Sequence, residues 1–106
     1  MNESKKLYQL SNALALVPAV AADVIAKKAW VYQVVVANVT ASAATLQVLD
    51  KATAPKQLIP TQSIAANTTV TFSFPEGVEM TGGIRWVAGT VDALHASIKG
   101  VYSPGA

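Results

Sequence analysis

Residues 34–53 read VVVANVTASAATLQVLDKAT: a β-branched run, a joint of small polar residues, an alternating run and a charged stop. Valine branches at Cβ, which crowds a helical turn and suits a pleated surface. Asn38, Thr40 and Ser42 carry side chains that bond to nearby backbone, the chemistry of a turn. Beyond the joint, Ala44, Leu46 and Val48 point to one side and Thr45 and Gln47 to the other, a strand with one covered face. Asp50, Lys51 and Pro55 end it.

The same reading extends in both directions. WVYQVVVANV (30–39) is apolar on both faces apart from Gln33 and Asn38, which describes a central strand covered on both sides. KQLIP (56–60) is a short strand closed by a proline, and a proline favours an edge. AANTT (65–69) is a turn. TTVTFSF (68–74) alternates cleanly, with Val70, Phe72 and Phe74 inward and Thr69, Thr71 and Ser73 outward. PEGVEMTGG (75–83) holds two turn signals around a brief Val78–Met80 strand. GIRWVAGTV (83–91) puts Ile84, Trp86 and Ala88 on one face, and LHASIKGVY (94–102) does the same for Leu94, Ala96, Ile98 and Tyr102. No helix-period stretch runs beyond about two turns. The expected fold is all-β: a single antiparallel β-sandwich or jelly-roll-like domain of six to eight short strands with an extended N-terminal arm.

Across the 106 residues, 52% are hydrophobic and only 13% charged, which excludes global disorder. The length suits one domain. The apolar share is mostly Ala and Val, with Thr frequent, a composition for close, flat packing. Without cysteine there is neither a disulfide framework nor a thiolate, so stability must come from the core or from surface buried against copies or a partner. The net charge of +2 comes from scattered lysines and one arginine, Arg85. Lys5–Lys6 and Lys27–Lys28 are isolated pairs, without the clustering that nucleic-acid binding requires.

Residues 1–22 divide from a β-sandwich domain at 23–106. Ala19-Val20-Ala21 resembles a signal-peptidase site, whereas Glu3, Gln9, Ser11 and Asn12 interrupt the apolar run, which is too short to span a bilayer. Pro18 breaks any helix there. The segment is read as an arm reaching a neighbouring subunit or as an edge strand on its own domain, with a cleaved signal as the third reading.

Chemistry is sparse. His95, the sole histidine, lies on the face opposite Leu94, Ala96 and Ile98, and one imidazole makes neither a triad nor a multi-histidine metal site. Glu76 and Glu79 flank Gly77, a turn rather than a cleft with paired carboxylates. No calcium-loop spacing appears, and Gly82-Gly83 is not followed by a P-loop lysine. Trp30, Tyr32, Trp86 and Tyr102 at strand spacing read as core or interface anchors before they read as a sugar platform. Asn38-Val-Thr and Asn67-Thr-Thr match the glycosylation sequon and equally suit ordinary turns. A non-enzymatic protein is expected, with no cofactor, no metal and no small-molecule substrate.

The run VYQVVVANVTASAATLQVLDKAT, followed by IAANTTVTFSFPEGVEMTGGIRWVAG, resembles small β-sandwich virion proteins of tailed bacteriophages over about residues 24–103; the N-terminal segment does not share the pattern. The resemblance implies a capsid decoration, or cement, protein on the exterior of the virion, made in the host cytoplasm. Its implied partners are the major capsid protein and copies of itself, a trimer being favoured, with neither nucleic acid nor membrane. On that reading Leu7, Tyr8, Leu10, Leu14, Leu16 and Val17 are interface residues, and deleting residues 1–22 is expected to weaken attachment while the domain stays folded. The alternatives are a carbohydrate- or receptor-binding module of a fibre and a secreted bacterial β-sandwich.

Overall fold

The computed structural model describes residues 7–11, 13–52 and 56–104. Glu3, Lys5, Lys6, Asn12 and Pro55, which entered the sequence reading, lie outside them. Nine strands form among the described residues: β1 (Tyr8–Ser11), β2 (Ala15–Leu16), β3 (Ala22–Ile25), β4 (Ala29–Asn38), β5 (Ala44–Asp50), β6 (Gln57–Ile64), β7 (Thr68–Met80), β8 (Ile84–Ala88) and β9 (Leu94–Tyr102). One sheet runs β1-β9-β4-β7, with β2 also on β9, and the other runs β3-β8-β5-β6. Every pairing is antiparallel. From β2 onward each connection except β5–β6 passes from one sheet to the other. That double Greek-key winding of two four-position sheets is the jelly roll.

The inward faces meet in one core of Val31, Val34, Val36, Leu46, Val48, Ile64, Met80, Ile84, Leu94 and Ile98, each at 0–1% exposure. Fully burying such a side chain stabilises by about 1.5–3 kcal/mol, so this layer dominates the fold's energetics. Trp86 joins it at 6% exposure, as its place beside Ile84 and Ala88 predicts.

Several expectations change in physically readable ways. β4 is central, between β9 and β7, but only one of its faces is covered. A bulge at Tyr32 explains its two-faced appearance: Val31 opposes Gly100 and Gln33 opposes Lys99, so Tyr32 is one extra residue. The extra residue switches the phase, so Ala29 and Val31 are buried before it and Val34, Val36 and Asn38 after it. Gly100 allows the approach, because a Cβ there would collide with the Trp30 carbonyl oxygen.

β7 is one strand where two were expected, because PEG forms an excursion instead of a chain reversal. Val78 pairs with Val31 and Ser73 with Gln33, so residues 74–77 bow out opposite Tyr32 alone. Gly77 takes φ +78° with the Tyr32 ring against it. β6 continues past Pro60 to Ile64. It is an edge strand, and its ladder is already broken where Gln62 pairs with Leu46 and Ile59 with Val48, leaving Pro60 with no bond to lose. β8 stops at Ala88, short of the expected Val91, and β3 was not anticipated at all.

Among the described residues two polar side chains are buried, Asn38 and Asp50, and both hold corners. Asn38, 2% exposed, ends β4 where the chain leaves one sheet for the other. Its Nδ2 donates to the carbonyls of Ser42 (2.9 Å) and Ile64 (3.0 Å), while its Oδ1 accepts from the Thr40 amide (2.9 Å) and hydroxyl (2.7 Å). Asp50, also 2% exposed, accepts from the amides of Ala52 (2.9 Å), Thr81 (2.7 Å) and Gly82 (2.8 Å), tying the end of β5 to the β7–β8 turn. Burial pushes its carboxyl up, but the three amides and the charge of Lys56 together hold it below the usual carboxylate range.

Replacing Asn38 by Ala strands these backbone groups and should cost about 2–3 kcal/mol in urea unfolding at pH 7. Asn38→Asp should cost more at neutral pH, because its carboxylate would face two carbonyls. Those carbonyls raise the folded-state pKa, so its penalty should shrink as pH falls and the acid protonates. Asp50→Ala should cost about 1–3 kcal/mol at pH 7. Since the Asp50 pKa is depressed on folding, its contribution is present above about pH 4, the unfolded carboxyl value, and is lost as pH falls through the folded value. Melting curves between pH 7 and pH 2.5 should therefore converge for wild type and variant.

Candidate functional site

Of the N-terminal segment, residues 8–11 and 15–16 run along β9. Tyr8 pairs with Tyr102 and Leu10 with Gly100, and after a one-residue register step Ala15 pairs with Ala96 and Leu16 with His95. β1 and β2 are thus one interrupted strand laid along β9 of the same chain. The six expected interface residues differ in exposure. Val17 is fully buried, its amide donating to the Leu94 carbonyl at 2.9 Å. Leu10 is half-buried against the core. Leu7, Tyr8, Leu14 and Leu16 remain 45–50% exposed. Removing residues 1–22 would take away a core residue and the pairing of β9, so truncation would not leave the domain intact; point substitutions are the sound instrument.

Among the described residues, the surface around this edge is mostly apolar or uncharged, with Lys99 on β9 as the charged exception. The Tyr8 ring packs on Tyr102 with centroids 5.7 Å apart and planes tilted by 43°. The outward face of the sheet carries His95, Ser97 and Lys99 on β9, then Gln33, Val35 and Ala37 on β4, then Thr69, Thr71 and Ser73 on β7. His95 is half-buried, and its Nδ1 is the one buried side-chain nitrogen or oxygen without a partner among the described residues.

The four aromatics do not gather into a platform. Trp86 is in the core and Tyr102 meets Tyr8, while Trp30 lies beneath the Lys28 ammonium, 5.4 Å from its ring centre. Tyr32, 42% exposed, flanks an open groove of about 390 Å³ along the β7 excursion, lined by Ser73, Phe74, Pro75, Glu76, Gly77 and Val78. The sequence reading missed this groove because it took PEG for a chain-reversing turn. Glu79 is engaged with Lys28 at 2.9 Å rather than with Glu76.

Two further ion pairs lie on the other sheet. Asp23 on β3 meets Lys51 (2.7 Å) and Arg85 (3.0 Å). The hydrogen bond from Lys51, then that from Arg85, holds its carboxyl below the ordinary value. Exposed pairs of this kind contribute little to stability. Among the described residues no three His, Cys, Asp or Glu side chains come together as metal ligands, and no helix is long and apolar enough to cross a membrane. Of the two sequons, Asn38 has its amide nitrogen buried and committed to two carbonyls, whereas Asn67 is exposed at φ 52°.

No protein-family model and no curated protein sequence matches the chain. Two solved structures of the tobacco streak virus coat protein are similar to it. One, a C2 crystal form, has a TM-score of 0.47 at 12% identity, over 96% of this chain and 90% of that one. The other, a coat protein dimer, has a TM-score of 0.45 at 11% identity, over 94% and 88%. At these values they are likenesses only, and the strand order itself identifies the chain as an all-β, two-sheet jelly roll.

Proposed function

We propose that the protein is a non-enzymatic structural component of a virion, a capsid decoration protein of the cement type. It binds the outside of a phage head and stabilises contacts between major capsid subunits, acting as a homo-oligomer for which a trimer is favoured. The observation that carries this reading is the row of half-exposed Leu7, Tyr8, Leu14 and Leu16 along one open sheet edge. Large apolar side chains held on a rigid sheet edge suit burial against another protein, where many copies add small areas into a firm hold. The low charge of the chain, 13%, supports the same use, since cores of protein interfaces are depleted in charge.

A second reading, a carbohydrate- or receptor-binding module of a fibre, is favoured by one feature, the groove beside Tyr32 with Phe74 in its wall. Aromatic faces in an open groove suit sugar rings.

Leu14→Glu with Leu16→Glu should lower attachment to purified phage heads at least tenfold in co-sedimentation, on the order expected when apolar anchors of an interface are lost. Thermal melting should stay within a few degrees of wild type, because both side chains are exposed. A double variant that binds heads as tightly as wild type overturns the decoration reading. Saturable glycan binding abolished by Tyr32→Ala would replace it with the fibre reading.

A further inference from the structure

The most exposed large apolar side chains among the described residues are Val20 at 78%, Val91 at 67% and Val39 at 59%. They come from three different connections: β2–β3, β8–β9 and β4–β5. Backbone hydrogen bonds bring these connections to one end of the sandwich. The Ala88 amide donates to Pro18 (2.8 Å), the Val39 amide to Ala93 (3.3 Å), and the Asn67 amide, in the β6–β7 connection, to Thr40 (3.0 Å). The four segments read PAVA (18–21), VTASA (39–43), AAN (65–67) and GTVDA (89–93). Of the eleven Asp, Glu, Lys and Arg side chains among the described residues, only Asp92 lies in them. The others lie along the strands or at the opposite end, where Lys27, Lys28, Lys51 and Lys56 occupy the β3–β4 and β5–β6 connections.

This separation of apolar tips from charge says what can cover the end. A partner chosen by electrostatic complementarity needs charges to pair with, and this end supplies one. Copies of one chain around a rotation axis bring identical residues close together, so charges there repel, and a neutral apolar end is the part of the surface that tolerates its own image. We propose that this loop end is the surface on which copies of the chain meet around a rotation axis. The Val20, Val39 and Val91 tips are buried at the axis, and the β1–β2 edge is left at the side for a different partner. This deepens the structural reading above and rests on it only for the expectation that copies assemble.

The test is native mass spectrometry and sedimentation of the full chain over a range of concentrations, with Val39→Lys and Val91→Lys as variants. Wild type should form a closed oligomer, and each lysine should raise its dissociation constant at least about tenfold. Asp92→Asn should tighten assembly, by removing the one like charge at the axis. Unchanged circular dichroism melts keep a folding defect out of the result. Lysine variants that assemble like wild type overturn the proposal, as does assembly lost only in Leu14→Glu with Leu16→Glu. A wild-type chain that stays monomeric at every concentration, or that floats with neutral phosphatidylcholine vesicles through these tips, overturns it too. Head attachment, scored separately by co-sedimentation, reports on the structural reading whichever result is found.

Discussion

The winding of this chain depends on the side chain of Asn38. A jelly roll sends its chain from sheet to sheet at nearly every connection, and each passage leaves backbone groups that neither ladder can satisfy. At the passage from β4 to β5, Asn38 meets that demand from inside the core, donating to Ser42 and Ile64 and accepting twice from Thr40. Three connections are thereby coupled, because the Asn67 amide adds a bond to Thr40 and the Val39 amide one to Ala93. A buried amide is costly unless all its bonds are made. Here they are made, which turns a potential liability into a lock on the geometry of one end.

Asp50 does comparable work at the other end, and the difference in chemistry follows from the partners. The groups to be satisfied around Asn38 include two carbonyls, which need a donor, whereas those around Asp50 are three amides, which need an acceptor. The two ends differ in character accordingly. Around Asp50 the loops carry lysines, and the ion pairs of Asp23 with Lys51 and Arg85 lie on that side. Around Asn38 the loops are short, small and almost free of charge. Both candidate contact surfaces, the β1–β2 edge and the loop end, thus follow from where the winding places apolar residues that the core does not take up.

Much of this was legible beforehand. The alternation in ATLQVLD, TTVTFSF and LHASIKGVY reads directly as strands with the correct inward residues, because a period of two is a local property. The turn role of Asn38 was legible from its neighbours Thr40 and Ser42. The continuity of β7 through PEG was not, because Pro-x-Gly signals a turn locally and only the pairing with β4 shows that the strand resumes its register. Nor was the bulge at Tyr32, since an apolar run on both sides of a phase switch looks the same as a strand buried on both faces. The candidate edge was legible as six apolar positions but not as four exposed ones, because exposure depends on both the face and the place along β9 at which each residue is paired.

By itself, then, the sequence determined the class of fold, the inward faces of most strands and the scarcity of reactive groups, because each follows from side-chain type and short-range spacing. Tertiary structure alone decided the strand order, the folding of the N-terminal segment onto its own domain and the gathering of Val20, Val39 and Val91 at one end. Those are long-range outcomes: they arise from hydrogen bonds between residues tens of positions apart, which no local pattern encodes.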